Sequence, residues 1–168
     1  MSELIFGKPM FLRTYRHEDK KQLQQLFFDT VHTVNARDYS LEQLDAWAPA
    51  EPDRDIWARL DRQFCYVVEC QKMLVGFASA TTDGAFDFLY VHKDFQGKGI
   101  ATALLKQVER LARKKGMARL RAEASITARG FFEKNGFVVL HENRKMLRGQ
   151  EILSFIVEKP LPQSATGQ

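Results

Sequence analysis

A glycine-containing segment between an apolar run and a strongly periodic run most constrains how this chain can fold. The segment begins at Val91, ends at Ala101 and has the sequence VHKDFQGKGIA. Gly97 and Gly99 tolerate positive φ angles and allow a ligand to approach the backbone closely. The first N–H groups of a helix lack intrahelical partners and lie at the positive end of the helix dipole. A strand, this loop and a helix start therefore predict a cradle for a phosphate or pyrophosphate.

The runs on either side of the loop predict a meander and a helix. Strand-like runs at 65–69, 74–81 and 85–91 are separated by turn residues, which is typical of three antiparallel strands. After the loop, one apolar stripe is formed by residues 101, 104, 105, 108, 111 and 112. Gly116 suits the left-handed position that ends a helix.

The remaining periodic segments complete an α+β pattern. Asp19 and Ser40 are expected to cap the first two of three early helices, over residues 19–35, 41–47 and 56–64. Further strands are predicted over residues 10–15, 120–124, 137–140 and 152–157, with a helix from Ser125 to residues 135–136. We expect a single mixed, mostly antiparallel sheet flanked by helices. One domain is expected over residues 1–159, followed by a disordered tail over 160–168.

Composition excludes several classes of protein. The 168 residues, 45% of them hydrophobic, suffice for one domain with a sizeable core. The net charge is +4, but the basic residues are spread along the chain, so we expect no nucleic-acid partner. Without a signal peptide or an apolar run of about 20 residues, a cytoplasmic protein with no membrane contact is expected. Cys65 and Cys70 fit reduced core thiols, and no Cys/His cluster predicts a metal.

Two common nucleotide motifs do not account for the loop. The P-loop pattern GxxxxGK[ST] is absent. The dinucleotide fingerprint GxGxxG is only half matched, because Thr102 stands where the third glycine belongs and no early βαβ unit is predicted. A GxG loop alone would equally fit a tight turn.

The context of the loop resembles the GCN5-related N-acetyltransferase (GNAT) family. QGKGIA, from Gln96 to Ala101, follows a Leu-Tyr-Val strand end and is similar to that family's Q/R-x-x-G-x-G/A motif. ARGFFEKNGF, from Ala128 to Phe137, resembles its second signature. The order of elements matches the family fold over residues 10–157.

The resemblance implies acetyl-CoA as the cofactor. Backbone N–H groups from Gln96 to Thr102 would bind the pyrophosphate, and Lys98 would either reach a phosphate or stay solvated. Backbone at Leu89–Val91 would pair with the pantetheine, and one of its N–H groups would polarise the thioester carbonyl. Ser125 would contact the pantetheine or only cap a helix. The expected cofactor-binding residues are Leu89, Tyr90, Val91, Gln96, Gly97, Lys98, Gly99, Ile100, Ala101, Thr102, Ser125, Phe131 and Phe132.

Acetyl transfer to an amine needs a base, because an alkyl ammonium must lose a proton before it attacks. Asp87 lies within an aromatic strand, and strand alternation would place it on one face with Leu89 and Val91. The resemblance places a base on this strand, so Asp87 is one candidate. The alternative is a structural carboxylate paired with an arginine or a backbone N–H. Glu123, near the end of the neighbouring strand, is the second candidate, unless it is simply solvated.

The acid that protonates the departing thiolate is unusual here. Many members of the family that the chain resembles carry a Tyr in the second signature at the position of Phe132, which has no proton to give. Tyr90 or a water could serve instead, or the thiolate could leave unassisted. Phe131 and Phe132 then pack or form a wall beside the thioether.

The acceptor pocket implied by the resemblance lies between the early helices and the sheet. Its candidates are His32, Asn35, Trp47 and Trp57. The alternative for the two tryptophans is that they anchor short helices. An acidic stretch, Asp45, Glu51, Asp53 and Asp55, favours a cationic acceptor or is solvated loop charge.

These features together indicate an acetyl-CoA-dependent N-acetyltransferase. The expected reaction is direct attack of a primary amine, from a small molecule or peptide, in a ternary complex. A covalent intermediate on Cys65 or Cys70 is disfavoured, since both sit in strand-like core segments. The alternative is an acyl-CoA-binding sensor or interaction module that kept the cradle and lost the chemistry. A monomer and a homodimer are both compatible with the sequence.

Overall fold

The computed structural model of the chain describes residues 3–5 and 7–162. Its strands are β1 (Glu3–Ile5), β2 (Lys8–Thr14), β3 (Phe64–Cys70), β4 (Met73–Ala80), β5 (Phe86–Val91), β6 (Arg119–Ser125), β7 (Val138–Leu147) and β8 (Gln150–Pro160). Its α-helices are α1 (Lys20–Thr33), α2 (Leu41–Trp47), α3 (Arg54–Ala58), α4 (Ile100–Lys114) and α5 (Arg129–Lys134). Short 3-10 turns occur at His17–Asp19, Asn35–Arg37, Arg59–Arg62 and Lys93–Phe95. Within the described residues no helix is long and apolar enough to cross a membrane.

The strands form two antiparallel halves joined by one parallel contact. β1 to β5 form a sheet in chain order, and β6, β8 and β7 form a second sheet in that order. The halves meet at a parallel bridge between Ala85 and Arg121, beside a hydrogen bond in which Arg121 N–H donates to Gly84 O at 3.0 Å. The predicted α+β class, with a mixed and mostly antiparallel sheet flanked by helices, is confirmed.

Helices cover both faces of the sheet because neighbouring strand residues alternate between two cores. Val68, Ala78 and the buried stripe of α4 belong to one core, which also holds Phe132 of α5. Val67 and Phe77 point to the other face and pack with residues of α1 and α3. The stripe of α4 is buried as predicted at Leu104, Leu105, Val108 and Ala112, whereas Ala101 and Leu111 are only half-buried and Ile100 begins the buried stripe.

Several local predictions need correction. Asp19 does not cap α1, because its carboxylate binds the Arg13 guanidinium at 2.8 and 2.9 Å and accepts from Arg16 N–H. The third helix starts and ends earlier than predicted, because Asp53 caps it and Phe64 already belongs to β3. β7 and β8 are longer than their apolar runs. The predicted tail also begins too early: Leu161 is buried, and residues 163–168 lie outside the described residues.

Close packing of α4 on β4 depends on the missing side chain of Gly76. A Cβ atom built there would lie 2.7 Å from Ile100 Cγ2 and 3.3 Å from Leu104 Cδ1. We predict that Gly76→Ala lowers the free energy of unfolding by about 1–3 kcal/mol, as overpacking of a core does. Chemical denaturation measures this change.

Gly130→Ala is the matched control, since Gly130 is helical and a Cβ there has no atom within 4 Å. It should leave stability unchanged or raise it by up to about 1 kcal/mol. Equal losses in the two variants would show that the close approach at Gly76 has no special role.

Candidate active site

The glycine loop ends in an uncapped helix start. Gly97 and Gly99 have φ angles of 70° and 81°, and a Cβ at either position would meet no atom within 4 Å. Gly99 is the N-cap of α4 and supplies no side-chain cap, and the first intrahelical bond runs from Ala103 N–H to Gly99 O at 3.0 Å. The N–H groups of Ile100, Ala101 and Thr102 therefore point out of the helix start, at its positive end.

This geometry fits the diphosphate expected from the sequence. Positive φ angles, open space above both glycines and outward N–H groups are what an anion needs at a helix N-terminus. Gln96, Gly97, Gly99, Ile100, Ala101 and Thr102 all line one cavity. Lys98 is exposed and does not line this cavity, so its predicted phosphate contact stays a prediction.

The cavity lies where β5 and β6 part. Past the bridge at Ala85 no ladder joins the two strands, and a cavity of about 310 Å³ is present there, which we call the cleft. β5 residues 86–91 line one wall, and Ala122, Glu123 and Ser125 line the other. Every expected cofactor residue except Lys98 borders this one space.

Backbone groups of β5 face the cleft. His92 N–H donates to Val75 O at 2.8 Å, and Val91 lies opposite Gly76 in the β4–β5 register. In an antiparallel pair the backbone groups alternate in direction, so those of Tyr90 point towards β4 and those of Leu89 and Val91 point away from it. Val91 O accepts from the Thr30 hydroxyl at 3.1 Å and from Gln96 Nε2 at 2.7 Å.

Two N–H groups therefore remain directed into the cleft, those of Leu89 and Val91. An N–H donor in this position can bind an amide or a developing oxyanion. The β4–β5 register is therefore compatible with the expected pairing between the backbone at Leu89–Val91 and a ligand.

The prediction that Asp87 shares a face with Leu89 and Val91 is wrong, because a bulge intervenes. Ala80 and Ser79 lie opposite Phe86 and Phe88, which leaves Asp87 as the extra residue of β5. A bulge changes the alternation of side chains along a strand. Phe86 thus joins the core that contains Leu89 and Val91, whereas Asp87 turns towards the Arg59–Arg62 turn.

Both oxygens of Asp87 have partners. The Arg59 guanidinium binds Oδ1 and Oδ2 at 3.0 Å each, and Gln63 Nε2 donates to Oδ2 at 2.8 Å. Asp87 lines the cleft, but these contacts are those of the structural alternative, an aspartate paired with an arginine. Its role as the base stays untested.

Glu123 also lines the cleft, and one of its two oxygens receives all the contacts that the described residues make with it. Oε1 accepts from Lys145 Nζ at 2.8 Å, from the Ser154 hydroxyl at 2.7 Å and more weakly from Asn143 at 3.4 Å. Within the described residues, Oε2 accepts no hydrogen bond. Burial alone would raise the pKa of Glu123, but the bonds from Lys145 and Ser154 outweigh it and hold the pKa below its usual value. Glu123 is therefore ionised at neutral pH.

Tyr90 lines the same space with a neutral phenol. Its ring packs edge-on against Phe27, with centroids 4.9 Å apart. Burial raises the pKa of Tyr90 strongly, and the nearby Trp47 indole only partly opposes this. The hydroxyl thus keeps its proton at neutral pH.

The second signature supplies packing rather than a proton donor. Phe132 is buried, lies edge-on to Phe86 and Phe137, and borders the cleft together with Phe131. Ser125 Oγ accepts from Ala128 N–H at 3.0 Å, which closes the turn before α5. The prediction that Ser125 caps the helix is wrong, because α5 begins only at Arg129 and its N-cap is Ala128, without a side-chain cap. Ser125 nevertheless borders the cleft.

The four acceptor candidates separate in space. Asn35 and Trp47 line the cleft, and Asn35 Nδ2 lies 3.4 Å from Ser125 Oγ. His32 lies outside it, because its ring nitrogens contact Phe28 O at 2.9 Å and Asp45 Oδ1 at 3.0 Å. Trp57 is buried and stacks on Phe88 with centroids 5.0 Å apart, as expected of a core anchor.

Trp47 also borders a second cavity of about 410 Å³. Its wall is mainly apolar and includes Phe27, Phe28, Pro52, Ile56 and Trp57. The acidic stretch of the sequence contributes little free charge here, because Asp53 caps α3 and binds Arg148 at 3.0 Å and Asp45 pairs with His32.

The cysteines lie away from the cleft. Both are buried free thiols, and burial raises the pKa of Cys65 to about 12. A thiol with that pKa stays protonated at neutral pH and is a poor nucleophile. Within the described residues, no group of three or more His, Cys, Asp and Glu side chains is placed to hold a metal ion.

Sequence reasoning missed three polar residues that shape the cleft. Thr30 secures Val91 O, and Thr127 donates to Asp38 at 2.7 Å. The Tyr39 hydroxyl donates to Leu153 O at 2.7 Å and accepts from Ile126 N–H at 2.9 Å, which fastens the segment before α2 to the end of β6. The two residues of each contact are more than 60 positions apart in the chain, so a local sequence pattern could not predict these contacts.

Comparison with known proteins gives consistent matches. The family described as acetyltransferase (GNAT) domain matches residues 35–153. The uncharacterized N-acetyltransferase YafP of Escherichia coli K12 is 32% identical over 145 residues, covering 86% of this chain and 91% of that protein. A GCN5-related N-acetyltransferase from Rhodopseudomonas palustris, also designated aminotransferase class II, superposes with a TM-score of 0.86 at 35% identity, over 90% and 95% of the two chains. The PaiA N-acetyltransferase of Thermoplasma acidophilum, solved in complex with coenzyme A, has a TM-score of 0.70 at 21% identity, covers 90% and 99% of the chains and shares the fold.

The glycine loop generates a direct test. We predict that Gly99→Val weakens acetyl-CoA binding about tenfold or more in calorimetry, because one lost charge-assisted hydrogen bond is worth about 1.5–3 kcal/mol. Gly149→Val is the matched control: Gly149 also has a positive φ, 82°, and open space, but it lies in the β7–β8 turn. Equal affinity in Gly99→Val and the wild-type protein, with both folded by thermal melting, would exclude the loop as the binding site.

Proposed function

Because this chain belongs to the GNAT acetyltransferase family, we propose that it transfers an acetyl group to a primary amine by direct attack within a ternary complex. The acceptor is a small molecule or the amino terminus or side chain of a peptide. Family membership makes the chain an acetyltransferase that uses acetyl-CoA. When bound, acetyl-CoA supplies an acetyl group activated as a thioester.

The observation that carries the proposal is the convergence of three kinds of group on one cleft. Uncapped N–H groups open α4 at one end, the N–H groups of Leu89 and Val91 lie on the wall, and the Glu123 carboxylate faces them from β6. An anion site, a site for a developing oxyanion and a site for an ammonium group are what acetyl transfer to an amine requires. This arrangement supports the proposal.

We assign proton acceptance to Glu123 rather than to Asp87. In the described part of the chain, all the bonds that hold Glu123 converge on Oε1, so Oε2 is available to an amine or to a water beside it. Asp87, by contrast, has both oxygens bound by Arg59 and Gln63. An ionised Glu123 also attracts the acceptor as its ammonium form before the proton leaves.

Tyr90 is the side chain best suited to protonate the leaving thiolate. Its raised pKa keeps the phenol protonated at neutral pH, so the hydroxyl has a hydrogen to donate. This role replaces the tyrosine that is absent at Phe132.

The body of the acceptor is placed by Trp47, which separates the cleft from the second cavity. The apolar wall of that cavity favours an amine that carries an apolar group over a highly charged one. We propose that the amino group points into the cleft and the apolar part lies against Trp47.

The reaction class is tested with an amine panel. We predict that free thiol is released from acetyl-CoA only when a compound with a free primary amine is present, and that the product gains one acetyl group by mass spectrometry. The panel contains alkyl and arylalkyl amines, amino acids and peptides, each matched with its N-acetylated form as the control. Tight acetyl-CoA binding without thiol release for any amine would favour the binding-module alternative.

The two carboxylates are distinguished by matched amide variants. We predict that Glu123→Gln lowers kcat about 100-fold, a typical loss for removing a general base, and leaves the affinity for acetyl-CoA unchanged. Asp87→Asn should lower kcat less than about tenfold, since it removes a structural ion pair. The opposite order of losses would assign the base to Asp87.

Tyr90→Phe extends the same comparison, because it keeps the ring in its aromatic cluster and removes only the hydroxyl. A lower kcat with unchanged acetyl-CoA affinity is expected of a proton donor. An unchanged kcat would mean that the thiolate leaves without help from Tyr90.

A further inference from the structure

The outer edge of β7 is a long strand edge with exposed apolar side chains. β7 is the last strand of the three-stranded sheet, runs for 10 residues and pairs on one side with β8. Within the described residues, no strand pairs with its other side. Leu140 is 46% exposed and Met146 is 67% exposed. An exposed and partly apolar edge of this length is a template for pairing with another strand.

Alternate residues of β7 form a stripe on one face of the sheet. Glu142 lies opposite Phe155 of β8 and Arg144 lies opposite Leu153, so both are on the face that carries the core of α4 and α5. Met146 follows them on the same face, and Leu140 precedes them as the extra residue of the bulge between Val139 and His141. From Glu142 to Met146 this face therefore runs acidic, basic, apolar.

That order is complementary to itself under a two-fold rotation. When two identical strands pair antiparallel about a two-fold axis, paired residues share a face, so the axis must pass through a residue position. With the axis at Asn143, Glu142 lies opposite Arg144 of the other copy, and Met146 comes to the end of the other strand that carries the bulge at Leu140. Because of the symmetry, this ion pair occurs twice.

The neighbouring registers are disfavoured by charge. Moving the axis to Glu142 places two glutamates opposite each other, and moving it to Arg144 places two arginines opposite each other. Like charges directly opposite each other destabilise a strand pair. Charged residues on an edge usually prevent pairing, but here their alternation in sign permits one register and opposes the next ones.

We propose that two copies of this chain associate edge to edge through β7, antiparallel, with the two-fold axis at Asn143. Within one copy Arg144 lies 3.0 Å from Glu151 and 3.7 Å from Glu142, and it gains a third acidic neighbour from the partner copy. The opposite face of β7 carries Asn143 and Lys145, which bind Glu123 in the cleft. Pairing would therefore also fix the position of β7, whose side chains bind Glu123.

Sedimentation velocity over a concentration series of the full chain tests the proposal. The wild-type protein should show a reversible dimer that weakens in high salt. Glu142→Arg should raise the dissociation constant about tenfold or more, because symmetry turns two attractive contacts into repulsive ones. The double variant Glu142→Arg with Arg144→Glu should restore the dimer. Thermal melting and acetyl-CoA affinity verify that each variant is folded.

A cysteine pair reports the register directly. Cα atoms facing each other in an antiparallel pair are about 4.5–5.5 Å apart, a separation that a disulfide spans. Under mild oxidation Asn143→Cys should form a covalent dimer, whereas His141→Cys should not, because its counterpart in the partner copy lies several residues away. The native cysteines are buried in both variants.

Each other outcome counts against the proposal. A wild-type monomer at all concentrations would overturn it. A dimer that Glu142→Arg leaves intact, or that the double variant fails to restore, would place the interface or the register elsewhere. Crosslinking of His141→Cys in place of Asn143→Cys would do the same.

Discussion

The site depends on a gap in the sheet, because β5 and β6 stop hydrogen-bonding to each other along most of their length. The strands are held at one bridge, Ala85 to Arg121, and then separate in the middle of what is otherwise a continuous sheet. Backbone groups in such a seam need partners, since buried and unpaired N–H and C=O groups are costly. Within the chain, the side chains of Thr30 and Gln96 donate hydrogen bonds to Val91 O. The N–H groups of Leu89 and Val91 are left for a ligand that can add to the seam as a short strand would.

The connection between these two strands explains why a phosphate site stands beside the seam. β5 and β6 run parallel, so a crossover must join them, and α4 is that crossover. Its first turn must then lie at the carboxyl end of β5, where open sheets bind their ligands. Gly76 brings the helix onto β4, and Gly99 leaves the first turn uncapped. One topological fact thus places an anion site and an unpaired strand edge within reach of one extended cofactor.

The sequence predicts the parts of this site that local physics determines. Glycine positions, the stripe of α4 and the meander all follow from neighbouring residues, and the structure has each of them. The orientation of Asp87 could not be predicted, because a bulge opposite Ser79 and Ala80 reverses the alternation, and nothing in the composition of β5 announces a bulge. The partners of Glu123 come from β7 and β8, 20 or more positions away. Choosing between two carboxylates therefore required contacts between distant segments rather than a motif.

The two faces of β7 have different roles, one in holding Glu123 and one in the proposed association, so each role can be tested separately. Asn143 and Lys145 point to the face of Glu123, and their contacts bear on the charge in the cleft. Glu142 and Arg144 point to the other face, beside Phe155 and Leu153, where Arg144 also pairs with Glu151 of the same copy. Because side chains of a strand alternate strictly away from a bulge, a change confined to the even positions alters association without touching a ligand of Glu123. Any loss of activity that accompanies dissociation in such variants would then be transmitted through the backbone of β7, not through altered charge at the site.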